Sequence, residues 1–267
     1  MFKNFNIKKI IFIVAWIALV NGLFVTLGFI KKTQDNVLCK SVTISIDTTS
    51  EMHFINDELV KEMINDKNDS LVGKPVSHID IFKIEKILRE NHYIENADVY
   101  STISGEIKIN IKQRKPLIRI VNIKNENYYI DSNGVVMPAS NIFTPRIIIA
   151  NGLIWEPYIS FRKILISGND SLDNTSLLSQ LLILAKYISK NDFWKAQIAQ
   201  VYINYDREIE LIPRLGNHTI LFGDITDMEE KFNNLMDVYQ KGFKNTGWEK
   251  YSTINLKYKN QIVCTKK

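Results

Sequence analysis

The segment Gly73–Leu117 reads GKPVSHIDIFKIEKILRENHYIENADVYSTISGEIKINIKQRKPL and decides the fold of the first folded part of the chain. Its start, Ser77–Asp80, has the spacing of a helix capping box, and apolar residues then recur at helical spacing. From Ala97 onward, apolar and polar residues alternate in two runs joined at Ser104–Gly105, which predicts a β-hairpin. Pro116 is predicted to end the second run, because proline cannot donate to a sheet ladder.

The residues before this segment add one strand and one helix. Val42, Ile44 and Ile46 alternate with polar residues, a pattern typical of a half-buried strand. Asn56 is a good N-cap for the apolar residues that follow it at helical spacing. In the hairpin, Ile103 is predicted as the last apolar residue of the first strand. The order β-α-α-β-β predicts a small α+β module with both helices on one face of a three-stranded sheet.

The residues after Leu117 are richer in predicted strands. Within YYIDSNGVV (Tyr128–Val136), Asn133-Gly134 suits the positive φ angles of a tight hairpin. One amphipathic helix is predicted around 177–188. The end of the chain is predicted to form a strand pair or one bent strand, over 253–258 and 261–264.

A second helix is predicted before this terminal strand region. It starts at a capping box, Thr226–Glu229, and carries Phe232, Leu235 and Tyr239 on one face. Gly242 stands where a C-cap belongs.

The uncharged stretch from Ile10 to Ile30 predicts one transmembrane helix. At 1.5 Å per residue its length is about 31 Å, which matches a hydrocarbon core of about 30 Å. A cleaved signal peptide is the alternative, but its apolar region would be only about 7–15 residues long and would close with a small-x-small site. Lysines are denser before the stretch than after it, which predicts a cytoplasmic tail at 1–9 and an external location from residue 33 onward.

The net charge of +5 belongs to the residues around this stretch. Lys3, Lys8, Lys9, Lys31 and Lys32 account for all of it, so residues 33–267 are formally neutral. A neutral domain lacks the basic surface that phosphate binding requires, which argues against nucleic-acid binding.

The sequence contains no recognisable catalytic, cofactor or metal motif. GxSxG, HExxH and Walker spacings are absent, and the acidic residues of the 66–80 loop do not follow EF-hand order. Cys39 and Cys264 stand at opposite ends of the external part and are predicted to be unpaired thiols. We therefore expect no enzyme, no cofactor, no metal and no small-molecule substrate.

The layout and three segments resemble the FtsQ/DivIB family of bacterial cell-division proteins. The segments are Gly73–Leu117, the YYIDSNGVV motif, and YSTINLKYKNQIVC (Tyr251–Cys264). The last segment departs from the family pattern at Asn255, Lys257 and Gln261. The resemblance implies an α+β fold: a transmembrane helix at 10–30, a POTRA-type module at 37–115, and a larger mixed β domain with two helices at 116–265.

The resemblance also implies a function. Family members are non-enzymatic scaffolds of the divisome that link early and late division proteins at the septum. They hold the bitopic partners FtsB and FtsL, which control septal peptidoglycan synthesis. The expected location is the inner (plasma) membrane, with the folded domains in the periplasm. The alternative is a POTRA-containing envelope assembly or secretion factor, which predicts several POTRA modules or a following β-barrel.

The predicted partner-binding residues lie near the end of the chain. A terminal strand is often a sheet edge, and an edge can accept an extended partner segment. By resemblance, Tyr258 matches the key aromatic residue of the FtsB-binding strand, and Lys257, Asn260, Gln261 and Ile262 fall on neighbouring positions. The alternative is that Tyr258 only packs on the preceding helix. The second strand of the POTRA-type module is a further candidate docking edge.

Overall fold

The structure is a computed structural model that describes residues 12–23, 37–47, 52–64, 70–159, 176–243, 247–259 and 261–267. The chain divides into two compact units. Unit 1 comprises Met1–Asp47 and Ile55–Lys112, and unit 2 comprises Thr48–Phe54 and Gln113–Lys267.

Residues 12–23 form a helix, α1, inside the predicted transmembrane stretch. Residues 10, 11 and 24–30 of that stretch lie outside the described residues. Among the helices that the structure describes, none combines the length and the apolar character needed to cross a bilayer.

Unit 1 contains a three-stranded sheet in the order β1-β3-β2, with β1 parallel to β3. Its elements are β1 (Ser41–Ile46), α2 (Asp57–Ile64), α3 (Ile81–Arg89), β2 (Ile94–Ser101) and β3 (Glu106–Gln113), with a 3₁₀ turn at Val76–His78 before α3. The predicted β-α-α-β-β order is confirmed.

Local signals explain most element starts in unit 1. Asn56 Oδ1 accepts a hydrogen bond from Leu59 N at 2.8 Å, as predicted for the N-cap of α2. The predicted capping box of α3 is wrong in its register, because Asp80 is itself the N-cap and accepts from Lys83 N at 2.9 Å. Ile103 lies in the β2–β3 turn and is 86% exposed, so its predicted place in the first hairpin strand is also wrong.

Unit 2 contains a nine-stranded sheet in the order β12-β11-β10-β9-β8-β7-β4-β5-β6. The strands are β4 (Pro116–Val121), β5 (Asn127–Asp131), β6 (Val136–Pro138), β7 (Ile148–Gly152), β8 (Ile198–Ile203), β9 (Ile209–Pro213), β10 (Thr219–Gly223), β11 (Tyr251–Asn255) and β12 (Val263–Lys266). The prediction that Pro116 ends the preceding strand is wrong, because β3 already ends at Gln113 and Pro116 is the first residue of β4.

The helices of unit 2 are α4 (Leu177–Lys190), α5 (Asp192–Gln197) and α6 (Met228–Asp237), and a π-helical turn, Val238–Gly242, continues α6. The prediction of two helices missed α5, which is too short to show a helical period. Its N-cap is Asn191, whose Oδ1 accepts from Phe193 N and Trp194 N. One face of the sheet and these helices enclose a single apolar core that includes Trp194, Phe222, Phe232 and Tyr239.

The start and end of α6 differ from the prediction. The Thr226 hydroxyl donates to Asp224 Oδ1, so Thr226 does not cap the helix. Asp227, with φ 50°, precedes the first helical residue and makes no side-chain cap. Gly242 ends the π-helical turn and the helical backbone continues into Phe243, so the predicted C-cap is wrong.

Candidate partner-binding strand edge

The terminal strand β12 is the last strand on one side of the nine-stranded sheet. It pairs antiparallel with β11, and β11 pairs parallel with β10. Within the described residues no strand pairs with the outer side of β12. An edge of this kind presents unpaired backbone donors and acceptors.

Hydrogen bonds across the sheet show how β11 is oriented. Leu256 N donates to Leu221 O on β10 at 2.9 Å. Successive residues of a strand direct their backbone groups to opposite sides, so the groups of Thr253 and Asn255 face β12. Ile254 and Leu256 are buried in the core, and their packing fixes the position of β11 beside the edge strand β12.

The same alternation identifies the outward groups of β12. Thr253 and Asn255 lie opposite Thr265 and Val263, respectively. Cys264 lies between those two partners, so its N–H and C=O point away from β11. The outer side of β12 is therefore centred on the backbone of Cys264.

The predicted contact residues lie mainly in the loop that joins β11 to β12. The predicted strand over 253–258 ends at Asn255, and Tyr258 follows in the loop, 51% exposed. Gln261 is exposed, and Ile262 is half-buried against the core of unit 2. Asn260 lies outside the described residues. Exposure leaves the Tyr258 ring available to a partner, although its predicted role stays a prediction.

Lys257 has a specific partner within unit 2. Its Nζ lies 2.9 Å from Glu208 Oε2, and the hydrogen bond from Nζ to Glu208 raises the pKa of Lys257. The bond ties the β11–β12 loop to the β8–β9 turn. Sequence reasoning missed Glu208, because no local pattern links residues that are so far apart along the chain.

A cleft of about 270 Å³ lies beside the loop, between Leu256–Lys259 and the start of α6. Its rim carries charges of both signs. Lys231 Nζ lies 3.0 Å from Asp224 Oδ1. Burial raises the pKa of Asp224, but hydrogen bonds from Thr226 and Lys231 outweigh burial and lower it. The cleft is therefore a charged recess next to the exposed Tyr258 ring.

Comparison with known protein families agrees with this geometry. The model of a family described as FtsQ/DivIB, C-terminal related matches residues 115–265, and a POTRA-like domain model matches residues 37–112. The chain belongs to the FtsQ/DivIB family. Members of this family are division proteins without catalytic activity, so membership indicates a role in cell division. No curated protein matches the chain.

The motif Tyr128–Val136 of this FtsQ/DivIB protein has a structural role. Asp131 is buried, and its Oδ1 accepts from Asn133 N at 2.8 Å and from Val135 N at 2.7 Å. Its Oδ2 lies 2.7 Å from Arg114 Nη1. Gly134 has φ 81°, as predicted, but the φ of Asn133 is not positive, so the predicted hairpin conformation is right only at Gly134. The motif therefore stabilises the β5–β6 hairpin, at the opposite edge of the sheet from β12.

Cysteine and histidine side chains are the usual candidates for metal binding and nucleophilic catalysis. Within the described residues there is no cluster of three or more His, Cys, Asp or Glu side chains that fits a metal ion. Cys39 and Cys264 are free thiols, and burial raises the pKa of each. His218 is buried with its Nε2 3.0 Å from the Tyr239 hydroxyl, and burial lowers its pKa. Because it is buried and bonded to Tyr239, His218 packs as a core residue of unit 2.

The second candidate docking edge, β2 of unit 1, is covered by side chains of α3. Ala97 O accepts from Arg89 Nε at 3.1 Å and from Arg89 Nη2 at 2.7 Å. Val99 N donates to Glu85 Oε1 at 2.9 Å. These are the two groups that one residue of an added parallel strand would use. The prediction that β2 offers a docking edge is therefore wrong at the centre of that strand.

Proposed function

We propose that this chain is a membrane-anchored scaffold of the division machinery that binds an extended partner segment by strand addition at β12. The observation that carries the proposal is the unpaired outer side of β12 within the described residues. Backbone hydrogen bonds would supply much of the affinity, and neighbouring side chains would select the partner.

The proposed partners are FtsB-like and FtsL-like bitopic division proteins. Family membership and the resemblance of Tyr251–Cys264 to the family's terminal strand support this choice. The proposed consequence of binding is control of septal peptidoglycan synthesis, without a reaction on the chain itself. The proposed location is the septal region of the inner membrane, with residues 1–9 in the cytoplasm and the folded domains, 37–115 and 116–265, in the periplasm.

Side chains around the edge favour a particular kind of segment. The Tyr258 ring is large, rigid and half exposed, and such residues often dominate binding energy at interfaces. Lys259 and Lys266 are exposed and form no ion pair within the described part of the chain. An extended segment with an apolar residue for Tyr258 and acidic residues for these lysines would complement the edge.

Replacement of Cys264 tests strand addition directly. Cys264→Pro removes the outward N–H at the centre of the edge, whereas Cys264→Ala removes the thiol and keeps the N–H. We expect Cys264→Pro to lose binding of the external segment of an FtsB-like protein, measured by calorimetry. Cys264→Ala should bind like the parent chain.

The result depends on an intact fold, so circular dichroism and thermal unfolding of both variants serve as controls. Undiminished binding by a folded Cys264→Pro variant would contradict strand addition at β12. A fluorescent fusion imaged in dividing cells tests the cellular role independently. A mid-cell band supports the division scaffold, and uniform envelope fluorescence argues for the assembly or secretion alternative.

A further inference from the structure

One end of unit 1 is built from three hydrogen-bonded loops, at residues 37–40, 71–76 and 102–105. Cys39 N donates to Lys74 O at 2.8 Å, and Lys40 N donates to Gly105 O at 2.8 Å. Val76 N donates to Val37 O at 2.9 Å. We call this end, together with the first turn of α3 that follows the 71–76 loop, the loop face.

The loop face exposes large apolar side chains. Among the described residues between 37 and 112, five large apolar side chains are exposed, and four of them lie here: Leu38 at 51%, Val72 at 52%, Phe82 at 83% and Ile103 at 86%. The fifth, Tyr100, is near the end of β2 that leads to the same loops. Apolar side chains concentrated on one part of a surface mark an interaction site with a protein or a membrane.

The opposite end of unit 1 has a different character. There α3 ends at Arg89 and Glu90, both exposed and charged. β1 and β3 run parallel to each other and start at the loop face, so the chain leaves unit 1 at the charged end. The two ends of this small unit therefore differ in polarity along the direction of its strands.

The sequence before residue 37 indicates what covers the loop face. The chain reaches this face from the uncharged stretch 10–30 and then Lys31 and Lys32. Lys40 and Lys83 are exposed at the face, and neither forms an ion pair within the residues that the structure describes. Apolar side chains with lysines beside them are typical of surfaces that lie in the interface of a membrane with anionic lipids.

We propose that the loop face rests on the lipid bilayer, with Phe82 and Ile103 inserted at the headgroup level and Lys40 and Lys83 at the lipid phosphates. The inference rests on the membrane anchor of the proposed function. Contact at this face would orient unit 1 with its strands pointing away from the membrane, since β1 and β3 both begin there. A tethered module would then stand upright at the bilayer.

Single tryptophans introduced into the full-length chain test the depth of each end. Phe82→Trp and Ile103→Trp report on the loop face, and Glu90→Trp lies about 12 Å further along α3 as the matched control. The chain is reconstituted into vesicles of phosphatidylethanolamine and phosphatidylglycerol, with or without bromine on the acyl chains. Bromine quenches indole fluorescence by contact, and the signal of the parent chain is subtracted.

We expect the added fluorescence of Phe82→Trp and Ile103→Trp to be blue-shifted and to be lost in brominated vesicles, while that of Glu90→Trp is unchanged. No quenching at any position in a chain that floats with the vesicles would overturn the inference and leave the anchor intact. Equal quenching of Glu90→Trp would also overturn it, because unit 1 would then lie flat. A chain that fails to float would overturn both the anchor and the inference.

Discussion

The terminal strands β2 and β12 differ in whether other side chains bond their outward backbone groups. On β2 of unit 1, the Glu85 and Arg89 side chains of α3 occupy the outward groups of Val99 and Ala97. On β12 of unit 2, no described side chain from outside the β11–β12 pair hydrogen-bonds the backbone, so the outward groups of Cys264 stay available. A neighbouring helix thus decides whether an edge accepts another strand.

The cover on β2 has a physical reason. Exposed strand edges invite unwanted pairing, and proteins usually cover or charge them. Glu85 and Arg89 imitate the C=O and N–H of a missing neighbour, which blocks strand addition at the centre of β2. The outward groups of Cys264 on β12 have no such cover within the described residues, and the proposed partner would bind there.

The largest expected effect comes from the exposed tyrosine beside β12, and an exposed tyrosine on β2 serves as the control. Tyr258→Ala should weaken binding of the external segment of an FtsB-like protein by about 2–4 kcal/mol, the range of interface hot spots. Tyr100→Ala, which removes a similarly exposed ring from β2, should leave binding unchanged. Calorimetric titration of both variants measures the contrast, and equal losses would break the distinction between the two edges.

Removal of the α3 side chains should open the β2 edge. In Glu85→Ala/Arg89→Ala, the free energy of unfolding is expected to fall by about 1–2 kcal/mol, since charge-assisted hydrogen bonds are lost while Arg89 is half exposed. The exposed edge should also cause concentration-dependent association, measured by sedimentation. Lys86→Ala/Glu90→Ala is the matched control on the same helix. A monomeric double variant with parental stability would show that the side chains do not protect the edge.

The core that supports β10 and β11 should respond to pH. Burial lowers the pKa of His218 in the folded state, so unfolded chains bind the proton more readily. The part of the unfolding free energy that depends on a neutral His218 is therefore fully present above the unfolded pKa of about 6.5. It is lost as pH falls toward the folded pKa. His218→Gln should flatten the dependence of the unfolding free energy on pH between about 7.5 and 5.5. The same slope in both proteins would assign the pH response to other groups.

The smallest effect is expected at the ion pair below the β11–β12 loop. Glu208→Gln should lower the free energy of unfolding by less than about 1 kcal/mol, because both side chains are partly exposed. Glu208 raises the pKa of Lys257, so the contribution is present below the unfolded lysine pKa of about 10.4 and is lost as pH rises through the folded value. Unfolding at low and high salt measures it, with Glu210→Gln as the control on the next strand. An effect that salt does not reduce would point to a role other than charge pairing.

Much of the fold was predictable from local pattern. Alternation marks β3, where Ile107, Ile109 and Ile111 are all buried, and Asn56 marks the start of α2. The hairpin at Asn133-Gly134 was predictable because few residues other than glycine adopt the required φ. The six-residue helix α5 was not, since it is shorter than two helical turns.

The candidate site was predictable only in part. The sequence indicated a terminal strand and the chain segment that carries Tyr258. It did not indicate that Tyr258 lies in the loop after β11, because Asn255 turns the chain by accepting from Lys257 N.

The sequence by itself determined the order of elements, the faces that are buried and the family, because periodicity, caps and turn residues act over a few neighbouring positions. Tertiary structure alone decided which edges are open. β12 is an edge because β11 enters the sheet beside β10, and β2 is closed because α3 brings Glu85 and Arg89 to it. Contacts between segments distant along the chain depend on packing, and no local pattern encodes them.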